Sequence, residues 1–88
     1  MKNIRVCMRT IYESGFKGHP LDLVKSLGVT YKHATPQTMG DQWWLWCCEN
    51  VPEPLPKYLQ ILDLTPTECV GFGLSKEQAE WLEKEAAG

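Results

Sequence analysis

The sequence predicts a small α+β domain, in which a mainly antiparallel sheet of three strands carries one helix from the N-terminal half and two or three C-terminal helices. The chain of 88 residues has the length of one domain. Its 43% hydrophobic and 23% charged residues are typical of a globular protein. Short segments of strand and helix periodicity alternate along it, separated by Gly and Pro. We therefore expect residues 1–88 to form a single compact domain.

The first predicted strand covers residues 3–12. Apolar side chains alternate there with basic ones and a cysteine: Ile4, Val6 and Met8 against Arg5, Cys7 and Arg9. A helix is the alternative, because Ile4, Met8 and Ile11 also have helical spacing. The alternation and the Val/Ile content favour the strand.

A helix is predicted to begin at Pro20 and to end at Gly28. Proline suits the first helical position, where its missing N–H costs nothing, and glycine suits the C-terminal cap. The apolar side chains between them share one face: Leu21, Leu23, Val24 and Leu27. Strand alternation resumes over residues 29–34, and the Pro and Gly of residues 35–41 predict a loop.

The strand predicted for residues 42–48 holds three of the four tryptophans. Period-two alternation places one set of large or thiol side chains on each face: Trp44, Trp46 and Cys48 on one, Trp43, Leu45 and Cys47 on the other. Because both faces are apolar, this strand is predicted to be central and covered on both sides, or to be partly open for a partner. Antiparallel pairing with the preceding strand is expected.

The last forty residues begin with alternate prolines, which end the sheet and hold residues 51–55 extended. We predict a helix over residues 57–62, for which a strand is the alternative. A capping box at Thr65 predicts a short helix that ends at residues 71–73, and a second box at Ser75 opens the last helix. Its apolar side chains are expected to gather on one side of the helix: Leu74, Ala79, Trp81 and Leu82.

The net charge of −2 is unevenly distributed along the chain. Residues 1–48 carry six Lys/Arg against three acids, whereas residues 49–88 carry three against eight. The sequence has no apolar run of membrane-spanning length and no export signal, which predicts a cytoplasmic protein with reduced thiols and no membrane contact. Three acids mark the polar face of the last helix as a possible docking face for a basic partner: Glu77, Glu80 and Glu83.

Metal and catalytic chemistry are not favoured by the motifs. His19 and His33 lack zinc-finger spacing, and adjacent strand residues such as Cys47 and Cys48 point to opposite faces. We therefore expect no cofactor and no metal. A small enzyme that uses a cysteine–histidine pair stays open as an alternative, because such partners need only spatial proximity.

Single-stranded nucleic acid is another alternative partner. Bases could stack on indole rings while cations follow the backbone, which would use Trp43, Trp44 and Trp46 with Arg5, Arg9 and Lys32. The negative total charge and the lack of a nucleic-acid-binding motif argue against this reading.

The favoured prediction is a non-catalytic protein-interaction module, a small regulator or inhibitor of the kind common among accessory proteins of phages and bacteria. Tryptophan is enriched at binding hot spots, and so short a chain has little material with which to cover both faces of a strand. The predicted interface comprises Trp43, Trp44, Trp46, Glu77, Glu80 and Glu83. The expected partner is another protein or a second copy of the chain.

Overall fold

The computed structural model describes residues 1–88 and has one antiparallel sheet with the strand order β2-β3-β1-β4. The strands are β1 (Lys2–Cys7), β2 (His33–Gln37), β3 (Gln42–Cys48) and β4 (Leu59–Ile61). The helices are α1 (Met8–Glu13), α2 (Pro20–Ser26) and α3 (Lys76–Ala87), with 3₁₀ turns at Thr38–Gly40 and Thr67–Cys69. The predicted α+β class and antiparallel sheet are confirmed, with four strands instead of three.

Three predicted elements were wrong in detail. The first strand ends at Cys7, and a helix follows that buries Ile11, so the N-terminal half has two helices. Residues 57–62 contribute β4, which pairs with β1, instead of a helix. The segment expected to form a short helix at Thr65 has only a 3₁₀ turn, which leaves α3 as the one C-terminal α-helix.

The second strand also lies closer to the C-terminus than predicted. It was expected over residues 29–34, and β2 begins at His33. Residues 29–32 contribute only an isolated bridge between Thr30 and Glu49. Pro36 lies within β2 and not in a loop. An edge strand tolerates proline, because one side of its backbone has no neighbouring strand to which an N–H must donate.

The two faces of the sheet carry separate apolar clusters. The α2 face, whose inner side chains include Ile4, Val6 and Leu45, packs against α1, α2 and the segment around Val51 and Leu55. The α3 face carries Trp46, which packs with residues of the C-terminal segment: Leu62, Cys69, Leu74, Ala79 and Leu82. Sequence reasoning expected two covered faces to be difficult for so short a chain, and both are covered along part of β3.

Coverage changes along β3. Residues 45–48, here called the covered end, are fully buried, whereas residues 42–44, the open end, are only partly buried. A β-bulge near Cys47, which has a φ of 57°, interrupts the pairing with β1. Beyond it Cys47 belongs to the cluster of the α3 face and Cys48 to that of the α2 face, which reverses the faces predicted for both cysteines.

Candidate functional site

The covered end of β3 is held by polar side chains whose partners lie within the chain. The Trp46 indole N–H donates to the Thr35 hydroxyl at 2.8 Å, and both groups are buried. The Asn3 amide accepts from the Cys47 backbone N–H at 3.1 Å and donates to the Leu64 carbonyl at 3.1 Å. Trp46 is therefore a core residue, and this end of the strand has no surface to offer.

The open end places its two tryptophans on opposite faces. Trp43 packs against the cluster of the α2 face, with its ring 5.4 Å from that of His19. Trp44 lies on the α3 face, edge-on to Trp46 at 6.3 Å, and its indole N–H donates to the Gln42 side chain at 3.0 Å. The three predicted interface tryptophans therefore do not share one surface.

A cleft of about 560 Å³ lies beside Trp44 on the α3 face. It is bounded by the β2–β3 connection and by the turn that precedes α3, and its lining includes Pro36, Met39, Gln42, Trp44 and Phe72. Met39 is fully exposed and Phe72 is 65% exposed. Aromatic and methionine side chains are enriched in protein interfaces, so this combination is suited to contact a partner.

Hydrogen bonds hold the turn that carries Phe72. The Gln37 side-chain amide donates to the Phe72 carbonyl at 2.6 Å, and the Phe72 backbone N–H donates to the Cys69 carbonyl at 2.9 Å. Gly73 has a φ of 110°, and a Cβ there would clash with Thr35. The close approach of glycine to β2 is therefore what lets the turn lie on the sheet and present Phe72 outward.

Sequence reasoning did not identify Met39 and Phe72 as site residues. Both fall in segments that were interpreted only as loop or helix end. A large apolar residue between two glycines, as in Gly71-Phe72-Gly73, was the available signal, because a glycine-flanked turn gives such a side chain no regular element in which to be buried.

The predicted acidic residues of α3 have two different roles. Glu77 and Glu80 are exposed, whereas a Glu83 oxygen accepts from the Thr67 backbone N–H and hydroxyl at 3.3 and 3.1 Å. Glu83 thus connects α3 to the 3₁₀ turn at Thr67–Cys69 through hydrogen bonds. Trp81, which was predicted to lie on the apolar side of the helix, is 44% exposed and lies beside Glu77.

The basic and acidic segments of the sequence are also separated in the structure. Residues 8–32, which include α1 and α2, carry four Lys/Arg against two acids. Residues 62–88, which include α3, carry two lysines against six acids. Since these segments lie on opposite faces of the sheet, the α3 side is the acidic side of the molecule.

The cation set proposed for nucleic acid is dispersed. Arg9 pairs with Asp41 at 3.5 Å, and Lys32 is exposed just before β2. Arg5 lies on the α3 face, directly opposite Trp44 on β3 and Gln60 on β4. Of the six residues proposed to bind single-stranded nucleic acid, only Trp44 and Arg5 lie together on the open part of the α3 face.

The histidines and cysteines that a small enzyme could use have other neighbours in the structure. The His19 ring accepts from the Leu21 backbone N–H at the start of α2, and His33 contacts the Gln78 amide at 3.1 Å. The Thr10 hydroxyl donates to the Cys7 sulfur at 3.2 Å and lowers the pKa of that thiol. Burial raises the pKa of Cys48 to about 12.

No group of three or more His, Cys, Asp or Glu side chains is placed to hold a metal ion. The helices are too short or too polar for any of them to cross a membrane. No protein-family model matches the chain, and no curated protein and no solved structure shows significant similarity to it.

Proposed function

We propose that the protein is a non-catalytic binding module that docks another protein in the cleft beside Trp44. The observation that carries this proposal is the grouping of Trp44, exposed Phe72 and exposed Met39 around one cleft of about 560 Å³. Solvent-exposed Phe and Met contribute little to the stability of a monomer. They contribute strongly to an interface, where aromatic anchors fill pockets of the partner.

The rigidity of the surroundings supports the same proposal. Phe72 stands on a turn whose backbone is bonded to Gln37 of β2 and to Cys69. Trp44 is held by its edge-on ring contact with Trp46 and by its hydrogen bond to Gln42. A surface that is already ordered loses less conformational entropy when a partner binds, which favours affinity.

A capture experiment with matched variants tests the proposal. Tagged wild-type protein, Phe72→Ser, Met39→Ser and Tyr12→Ser would be used to capture proteins from the native cell extract, with quantification by mass spectrometry. Tyr12 is a suitable control because it is similarly exposed but lines a different depression, beside Arg9 and Asp41. We expect one protein to be retained by wild type and Tyr12→Ser and reduced at least about tenfold by Phe72→Ser. Equal retention by all variants would contradict the proposal.

A second copy of the chain is the other partner that the sequence suggested. Sedimentation equilibrium of the purified protein over a range of concentrations separates this case from binding of a different protein. If the cleft is the contact, Phe72→Ser shifts the equilibrium to the monomer while Tyr12→Ser leaves it unchanged.

A further inference from the structure

A second depression, of about 340 Å³, lies at the start of α3 and is lined by Ser75, Glu77, Gln78 and Trp81. The Trp81 ring is 44% exposed, and Glu77 is exposed beside it, one helical turn earlier. The Ser75 side chain accepts from the Gln78 backbone N–H at 3.1 Å, so this donor is already used within the chain. The depression therefore presents an aromatic face and a carboxylate.

Glu77 differs from the nearby Glu80 in what surrounds its carboxylate. Residues four apart are neighbours on a helix surface, and those of Glu80 are Lys76 and Lys84. The α3 neighbours of Glu77 three and four residues on are Glu80 and Trp81, which supply no cation. Neither of the two ion pairs in the chain involves Glu77. Its negative charge is thus available to a cation from outside the chain.

The depression and the cleft beside Trp44 adjoin the same strand. At the start of β2, the His33 ring contacts the Gln78 amide at 3.1 Å. At the end of β2, the Gln37 amide donates to the Phe72 carbonyl at 2.6 Å. The four steps between these ends span about 13 Å. One extended segment of a partner, about five residues long, can therefore reach both places.

We propose that the partner protein places a lysine or arginine side chain against Trp81 and Glu77 while its apolar side chain occupies the cleft. A cation over an indole face is attracted by the ring quadrupole, and the adjacent carboxylate adds an ion pair. This inference rests on the proposed function, because it specifies the chemistry of the same partner. The recognised segment has a basic residue and an apolar residue about 13 Å apart.

The charge of the α3 side favours a basic segment over an acidic one. Residues 62–88 carry six acids against two lysines. An acidic peptide or a nucleic-acid strand would bring its negative charges close to that surface, which would be repulsive. A basic segment would be attracted to the α3 side, and Trp81 and Glu77 would determine where its cation binds.

Three capped amino acids serve as probes that do not require the natural partner: N-acetyl-arginine amide, its uncharged counterpart N-acetyl-citrulline amide, and N-acetyl-glutamate amide. Binding is followed by NMR through the Trp81 indole N–H and the Glu77 backbone N–H. We expect the arginine probe to shift both signals and to bind at least about threefold more tightly than the citrulline probe. Glu77→Gln should abolish that preference, whereas Glu80→Gln, which changes the net charge equally, should retain it.

Several results would overturn the inference. These are equal binding of the arginine and citrulline probes, binding of the glutamate probe at least as tight as that of arginine, and a Trp81 signal that arginine does not shift at about 100 mM. A Trp81 signal that moves with protein concentration alone would also overturn it, because a second copy of the chain would then cover this surface.

The capture experiment separates this inference from the proposed function. A partner that is lost with Phe72→Ser but retained in full with Glu77→Gln would leave the docking surface in place and remove the cation contact. Arginine binding at Trp81 without any protein captured through the cleft would do the reverse.

Discussion

The covered and open ends of β3 have similar apolar side chains and different surroundings. Trp46 at the covered end lies beneath Leu82 of α3, and its indole N–H is bonded inside the core. Trp44, two residues earlier on the same face, has neighbours on one side and the cleft on the other. Burial along this strand is therefore decided by how far α3 and the turn before it reach across the sheet, because both ends carry large apolar side chains.

The polar groups of β1 follow the same division. Asn3, near the covered end, uses both atoms of its amide within the chain, whereas Arg5, on the same face near the open end, has no protein acceptor. The buried side-chain polar atom that lacks a partner therefore lies near the open end. This difference is the physical basis for assigning stability to one end and binding to the other.

The largest expected contrast between the ends is in thiol reactivity. Cys7 pairs with Gln42 at the open end, and its lowered pKa increases the thiolate fraction at neutral pH. Cys48 at the covered end is buried, so its alkylation requires opening of a domain with a stability of about 5 kcal/mol or more. We expect iodoacetamide to modify Cys7 at least about a thousandfold faster, as followed by mass spectrometry. Similar rates in native buffer would contradict the division; in denaturant the rates should converge.

The next contrast concerns the two tryptophans of the α3 face. Trp46→Ala removes a fully buried indole and leaves the Thr35 hydroxyl without its partner, which should cost about 3–5 kcal/mol in urea unfolding. Trp44→Ala should cost about 1–2 kcal/mol, because its ring is only partly buried. Partner capture should fail for folded Trp44→Ala. Equal losses of stability would mean that the two ends are packed alike.

Asn3→Asp is a smaller test of the covered end. The new carboxylate keeps the acceptor for Cys47 but loses the donor to Leu64, with an expected cost of about 1–3 kcal/mol. Asn50→Asp is the matched control, since Asn50 is exposed, and should stay within about 0.5 kcal/mol. Arg5→Gln should also be nearly neutral, because the Nε of Arg5 has no hydrogen bond to lose. A destabilising Arg5→Gln would assign that residue to the fold.

The elements that could be predicted are those with strong local signals. Pro20 and the capping box at Ser75 place the starts of α2 and α3, and β3 spans the predicted residues 42–48. The signal was ambiguous over residues 8–13, where strand and helix spacing coincide. β4 has only three residues and depends on pairing with β1, a contact that no local pattern reveals.

The candidate site was less predictable than the fold. Trp44 was identified, but its separation from Trp43 and Trp46 depends on where the C-terminal segment stops covering the sheet. That boundary depends on tertiary contacts such as the packing of Gly73 against Thr35. Phe72 and Met39 lie in turns, where periodicity carries no information about exposure.

The smallest expected effect is a pH dependence that belongs to the covered end. Burial lowers the pKa of His33, whose ring contacts the Gln78 amide on α3. The unfolded chain then binds a proton at this residue more tightly than the folded chain does. The stability that neutral His33 contributes is complete above the ordinary histidine pKa of about 6.5 and is lost as the pH falls below it.

Urea unfolding of wild type and His33→Gln at about pH 7.5 and about pH 5.5 measures this effect, in a range above the ordinary carboxyl pKa values. The stability advantage of wild type over His33→Gln should shrink at the lower pH, because glutamine can still face Gln78 but does not titrate. If His33→Gln lost as much stability between the two pH values as wild type does, the pH dependence would come from another group. The contact between His33 and α3 would then not be its cause.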